Sequence, residues 1–337
     1  MNVETQQIGS YSEITGLWQF QDVAGNYLAV LEKDDAEGQS KITVLRLQDA
    51  GWSAIRTIVS DDMSIRAIDG HAIDTKLYVC TELNGSEALQ LVSAEVAQLV
   101  DPEVAQVPFT PLGDLSLSAE LVERVDLPVD RWWNTIRPLA LGAWLFGPSF
   151  VKGGLSMPVV VAATADGQIV ALGRSGEESR SELLGVSRAL DPQAAVVNRV
   201  RHVAVKRIAG DVYPFWMLPR YSGSGKVVNG ELVVRSGDGP EQDLSATLGI
   251  GPIFQHAAAV DRAGGVWLFA LQEAPVGTDV LAIALGEGGW VLRDRRSLDL
   301  EVTELSVAPS ATGWQLVYGV DADGSWTLYH QSWRIAP

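Results

Sequence analysis

Tyr27-Leu28-Ala29-Val30-Leu31-Glu32 is the stretch on which the reading of this chain turns, because runs of the same kind return along its whole length. They begin near Leu77 (LYVCTE), Pro158 (PVVVAA), Val212 (VYPFWML), Val266 (VWLFAL) and Trp314 (WQLVYG). Each is short, rich in β-branched and aromatic residues, and either apolar throughout or alternating with period two, which is the pattern of a buried strand. Successive starts lie 50, 81, 54, 54 and 48 residues apart, and the 23 residues after Trp314 with the 27 up to Tyr27 close the circle at 50. A recurring period of this length marks a fold built from repeats.

Around these runs one unit recurs. It is a strand, a Gly- or Asp-containing turn, the strong apolar strand, a second turn, a third strand and often a more polar fourth. Asp166-Gly167 and Asp323-Gly324 are hairpin signals between β-rich flanks. Ala50-Gly51-Trp52 and Gly288-Gly289-Trp290 mark a second recurring position, where a fourth strand begins with Trp. Helical spacing is nearly absent, and the two exceptions, Glu87 to Val100 and Glu177 to Leu190, read as strand plus loop. The last unit, Glu301 to Pro337, has only three strands, so residues 4–12 are expected to supply its fourth and bring the chain ends together in one sheet. That closure would leave no lone terminal sheet edge. The units run over about 13–60, 64–127, 134–190, 198–248, 254–300 and 301–337 plus 4–12. The one long interval places an insertion at about 94–117.

With this period and these Gly-aromatic turns the chain resembles the β-propeller superfamily over nearly its whole length. The resemblance implies an all-β, six-bladed ring of four-stranded blades in a single domain. It extends to no particular family: repeated WD dipeptides, S-x-D-x-G-x-T-W boxes and paired kelch glycines are missing. Six-bladed lectins are similar in the Trp-bearing hairpins, but their repeated Arg, Glu and Trp sugar-binding set is not visible.

Composition agrees with many short strands. Of 337 residues 47% are hydrophobic, with 33 Gly and 15 Pro to supply core and chain reversals. A formal net charge of −17 opposes contact with nucleic acid or anionic lipid. The single cysteine, Cys80, forms no internal disulfide, which suits a reducing compartment. No signal-peptide pattern opens the sequence, and the most apolar stretch, Pro138 to Val151, is too short to cross a bilayer. The cytoplasm is therefore the expected compartment.

Candidate ligand-contacting residues fall into three groups. In the first, near the insertion, Trp132 and Trp133 adjoin Asp130 and Arg131; adjacent residues on a strand point to opposite faces, so one ring would enter the core and the other cover a channel mouth. Packing of both is the competing reading. In the second, Trp216 lies in the aromatic run Tyr213 to Tyr221, followed by Ser222-Gly223-Ser224-Gly225-Lys226. That run lacks the Ser or Thr of a phosphate loop and reads as a hairpin turn.

The third group comes from the first strand of each unit, which in a propeller lines the central channel. Their leading ends are read as holding Trp18 with Gln19, Arg66, Arg137, Arg201 with His202, Gln255 with His256, and Glu304. His71 is placed deeper in the channel and His330 on an outer strand. Three arginines and two histidines at one mouth would form a positive focus for a carboxylate, sulfate or phosphate. Pairing of each Arg with a nearby acid is the plainer alternative, since one sequence does not establish strand register.

No metal-ligand spacing and no cofactor motif is present, and Asp321-Ala322-Asp323-Gly324 reads as a turn. Two functions follow. One is a binding module presenting loops on a rigid ring to a protein, peptide or glycan, favoured by 11 Trp and the missing catalytic motifs. The other is a metal-independent lyase, cyclase or hydrolase with an Arg- and His-lined pocket at the channel mouth.

Overall fold

The computed structural model describes residues 5–22, 25–34, 39–49, 51–60, 65–83, 89–104, 107, 109–115, 144–152, 158–164, 168–175, 178–186, 201–208, 211–221, 227–236, 239–322 and 324–335. Trp132, Trp133, Arg137, the Asp166-Gly167 turn, Asp323 and Ser222 to Lys226 lie outside these residues.

Strands β2 (Glu13–Asp22), β3 (Gly25–Asp34), β4 (Gln39–Gln48) and β5 (Gly51–Ser60) form one antiparallel sheet in chain order. Strands β6 (Ile65–Ile73), β7 (Lys76–Leu83), β8 (Leu89–Glu95) and β9 (Thr110–Asp114) form the next. The same meander is repeated by β10 (Trp144–Lys152), β11 (Val159–Thr164), β12 (Gln168–Ser175) and β13 (Glu178–Val186). It recurs in β14 (Arg201–Ile208), β15 (Asp211–Tyr221) and β16 (Val227–Val234), and in β18 (Ile253–Val260), β19 (Val266–Glu273), β20 (Thr278–Gly286) and β21 (Gly289–Leu298). These three meanders are linked by a parallel bridge with Val151 opposite Val205 and by the pair Gly230 and Ile253. The last sheet holds β22 (Val302–Ser310), β23 (Gly313–Ala322) and β24 (Ser325–Trp333). Strand β1 (Gln6–Tyr11) pairs antiparallel with β24, so the two ends of the chain share one sheet as the strand count required.

Two details differ from expectation. Residues 87–100, read as strand plus loop, contain β8 and then a one-turn helix, α1 (Val96–Val100). Val96 and Leu99, three apart on one helical face, are buried among the apolar residues between the first two sheets, and that docking outweighs weak local propensity. The fourth position of the β14 sheet holds only the two-residue β17 (Gln242–Asp243), followed by helix α2 (Leu244–Leu248). Asp243 caps α2 by accepting from the Ala246 amide at 2.9 Å, and Gly249 ends it at φ 63°. Asp before and Gly after a five-residue run were legible cap signals.

A register shift recurs in the first strand of every meander. It lies between Ile14 and Gly16, Ala67 and Asp69, Trp144 and Phe146, Arg201 and Val203, Ile253 and Gln255, and Val302 and Glu304. A bulge of this kind inserts one unpaired residue, sharpens the twist and re-aims the side chains beside it. The first strands also touch in order: β2 lies against β6, then β10, β14, β18 and β22 follow, and β22 returns to β2.

The core lies between neighbouring sheets. Trp18, Phe20, Tyr27, Leu77, Val79 and Leu99 fill the space between the first two. Phe215, Met217, Leu232, Leu268, Ile283 and Trp290 fill that between the β14 and β18 sheets. Phe269, Leu271, Trp314, Leu316, Tyr318 and Trp333 do so between the β18 and β22 sheets.

Candidate functional site at the leading ends of the first strands

Among the leading ends of the first strands, those of β18 and β22 have described side chains. Past the β18 bulge, Ala257 and Ala259 pack on the β22 side and Ala258 on the β14 side. The same alternation aims Gln255 at β22 and His256 at β14. Gln255 is 8% exposed and its carboxamide is held at both ends: Nε2 donates to Glu304 Oε2 at 3.0 Å, and Oε1 accepts from the His256 backbone N–H at 3.1 Å. Glu304 follows the β22 bulge directly and is half-buried. The bond between them is charge-assisted and fixes the carboxylate at the meeting of two sheets. His256 is almost fully buried, at 1% exposure.

The bulges explain why Gln255 and Glu304 come together. Each bulge shifts the alternation by one residue at the same place in its strand, so Gln255 and Glu304 occupy equivalent positions. Asp69 occupies that position in β6, a placement that sequence reading missed because a bulge leaves no residue signature of its own.

The other candidates are spread more widely. Trp18 lies in mid-strand rather than at a leading end, 3% exposed. Its indole fills the space beside Gly70 of β6, where a Cβ would meet it at 2.8 Å, so it packs the joint between two sheets. Gln19 stitches β2 to the last sheet, its Nε2 donating to the Ser306 carbonyl at 3.0 Å and the Gln315 carbonyl at 3.3 Å. His71 is half-buried on β6 opposite Tyr78.

Arg66 is the second residue of β6, Arg201 the first of β14 and His202 the bulge residue after it; all three backbones thus sit at leading ends, and their side chains lie outside the described residues. The same holds for Trp216, which pairs with Val203 and Val233 in the second strand of its sheet. His330 is on β24, an outer strand, as expected. Strand β10 begins at Trp144, downstream of Arg137. Among the described residues no group of three His, Cys, Asp or Glu is placed to hold a metal ion, and no helix is long and apolar enough to cross a membrane.

No family model matches the chain, and no curated protein matches it by sequence. Its architecture is shared with known structures. Aleuria aurantia lectin, in complex with α-methyl-L-fucoside, is 12% identical with a TM-score of 0.51, over 97% of this chain and 95% of the lectin. An oxidoreductase (glucose dehydrogenase) assignment from Thermus thermophilus is 12% identical with a TM-score of 0.51, over 98% of this chain and 100% of that one. Trypanosoma rangeli sialidase, in complex with the inhibitor DANA, is 9% identical with a TM-score of 0.52, over 95% of this chain and 55% of the sialidase. These likenesses show the fold alone: the chain is an all-β protein with a β-propeller fold.

Proposed function

We propose that this protein is a six-bladed propeller with its ring closed by β1, and that its leading-end face binds a glycan. The cyclic order of contacts among the six first strands supports the ring. The observation that carries the binding reading is the Gln255–Glu304 bond, which presents an oriented carboxylate at the meeting of two sheets. Sugar hydroxyls are donors that such an acceptor reads well, because a hydrogen bond to a charged group contributes about 1.5–3 kcal/mol. The α-methyl-L-fucoside bound in the lectin structure is in keeping with this.

The test is a glycan array followed by calorimetry on the best ligand. Glu304→Gln should weaken binding by roughly tenfold or more, and Gln255→Ala should weaken it less, since Gln255 only orients the carboxylate. Binding unchanged in Glu304→Gln would refute the site. Turnover of a glycoside by the wild type would replace a binding role with the hydrolase reading.

A further inference from the structure

We propose that acid loosens this protein at one joint, between the β2–β5 sheet and the sheet completed by β1, and that His330 is the group whose protonation does it. The joint is where the chain closes on itself. Among the described residues its buried apolar part comprises Ile14, Leu28, Val30, Leu45, Val317 and Leu328, with Ile8, Tyr11, Leu17, Trp52 and Trp326 packed against them, and polar groups stitch it beside these. Gln19 donates to Ser306 and Gln315, and Gln21 donates to the Pro309 carbonyl at 3.5 Å. His330 lies within this polar part. Its Nε2 is hydrogen-bonded to Gln315 Oε1, and its ring stands edge-on to Trp52 of β5, with centroids 6.0 Å apart and planes at 86°.

Among the described residues no counter-charge stands beside a proton added to that ring. On its own sheet His330 is flanked by Val317 and Gln315 of β23 and by Gln6 of β1, and from the facing sheet by Trp52 and, opposite Trp52, Leu47 of β4. The ionisable groups that alternation turns toward the joint are elsewhere along it. Glu32 accepts from Ser12 near Tyr11, at the far end of β1; Lys41 and Asp321 are at that end too, and Glu304 is committed to Gln255. Asp49, in the β4–β5 turn, and Arg334, past β24, are exposed to water. An imidazolium between the sheets would thus be desolvated against an indole and an amide, an arrangement that costs free energy unless the joint opens.

Burial indeed lowers the pKa of His330 from its ordinary 6.5. The closed joint prefers the neutral ring, so its stabilisation is fully present above about pH 6.5. It declines as pH falls below that value, because the open form takes up the proton first, and it levels off below the lowered value of the closed form.

Hydrogen exchange of the full chain, read by mass spectrometry and corrected for intrinsic rates, tests this. Between about pH 7.5 and pH 5.5, opening of β1 and β24 should rise in the wild type by a factor approaching tenfold per pH unit below pH 6.5, the limit for one proton. Strands β19 and β20 should stay protected. In His330→Gln, which keeps a neutral hydrogen-bonding group, β1 and β24 should show no such rise. An equal rise in wild type and variant, or no rise in the wild type, overturns the proposal. If His330→Gln does not fold, NMR titration of the wild-type imidazole decides: opening that tracks its protonation supports the proposal, and opening that precedes or ignores it refutes it.

Discussion

The last sheet meets its two neighbours in different ways. Against the β18 sheet it is dry and aromatic: the Phe269 ring lies 4.9 Å from Trp314 and 5.9 Å from Trp333, and Trp267 lies 5.4 Å from Trp314. The edge of this cluster is trimmed by Asp294, which accepts from Trp333 Nε1 at 2.9 Å, and by Arg296, 4.9 Å above the Trp333 ring. Against the first sheet it has a smaller apolar patch and a row of glutamines, serine and histidine. Apolar contact is strong but non-directional. Amide hydrogen bonds are weaker in net terms and specify alignment. The β18 and β22 sheets are tethered by the short connection from Leu298 to Val302, and adhesion suffices there. The first and last sheets have only β1 to bring them into register, and the glutamine stitching supplies the alignment.

The contrast can be broken experimentally, most sharply in the aromatic joint. Phe269→Ala should cost about 3–5 kcal/mol in denaturant unfolding, because the ring is fully buried among large neighbours. A cost near 1 kcal/mol would mean that the joint collapses around the gap and is not close-packed. Trp333→Phe keeps most of the packing and removes the bond to Asp294; a loss of about 1.5–3 kcal/mol is expected, and Asp294→Asn should recover part of it by removing the stranded charge. In the polar joint, Gln19→Leu should cost about 1 kcal/mol by the same measurement, the net value of neutral hydrogen bonds. If Gln19→Leu proves as costly as Phe269→Ala, the two joints are not different in kind. The smallest effect should come from Arg296→Gln, at about 0.5–1 kcal/mol, since a cation over a ring near the surface contributes little.

Reading from residues reached far into the fold. Six apolar runs became β3, β7, β11, β15, β19 and β23, and the Trp-led fourth strands became β5 and β21. The pairing of β1 with β24 followed from counting strands in the last unit. The candidate site was legible in part. Gln255 and Glu304 do meet, with the His256 backbone N–H holding Gln255, whereas Trp18 and Gln19 serve the joints between sheets. The reason is the bulge in each first strand: one extra residue flips inside for outside beyond it, and Thr15, Phe254 or Thr303 in that role looks no different from its neighbours.

The linear pattern of residues thus carried the architecture, because strand propensity, turn chemistry and period are local properties that survive averaging over a whole unit. Which side chains face one another across two sheets depends on register, and register comes from pairing between residues far apart in the chain. That is why the repeat length of the propeller could be counted from the sequence, while the meeting of Gln255 with Glu304, and of His330 with Trp52, emerged only once the sheets were assembled.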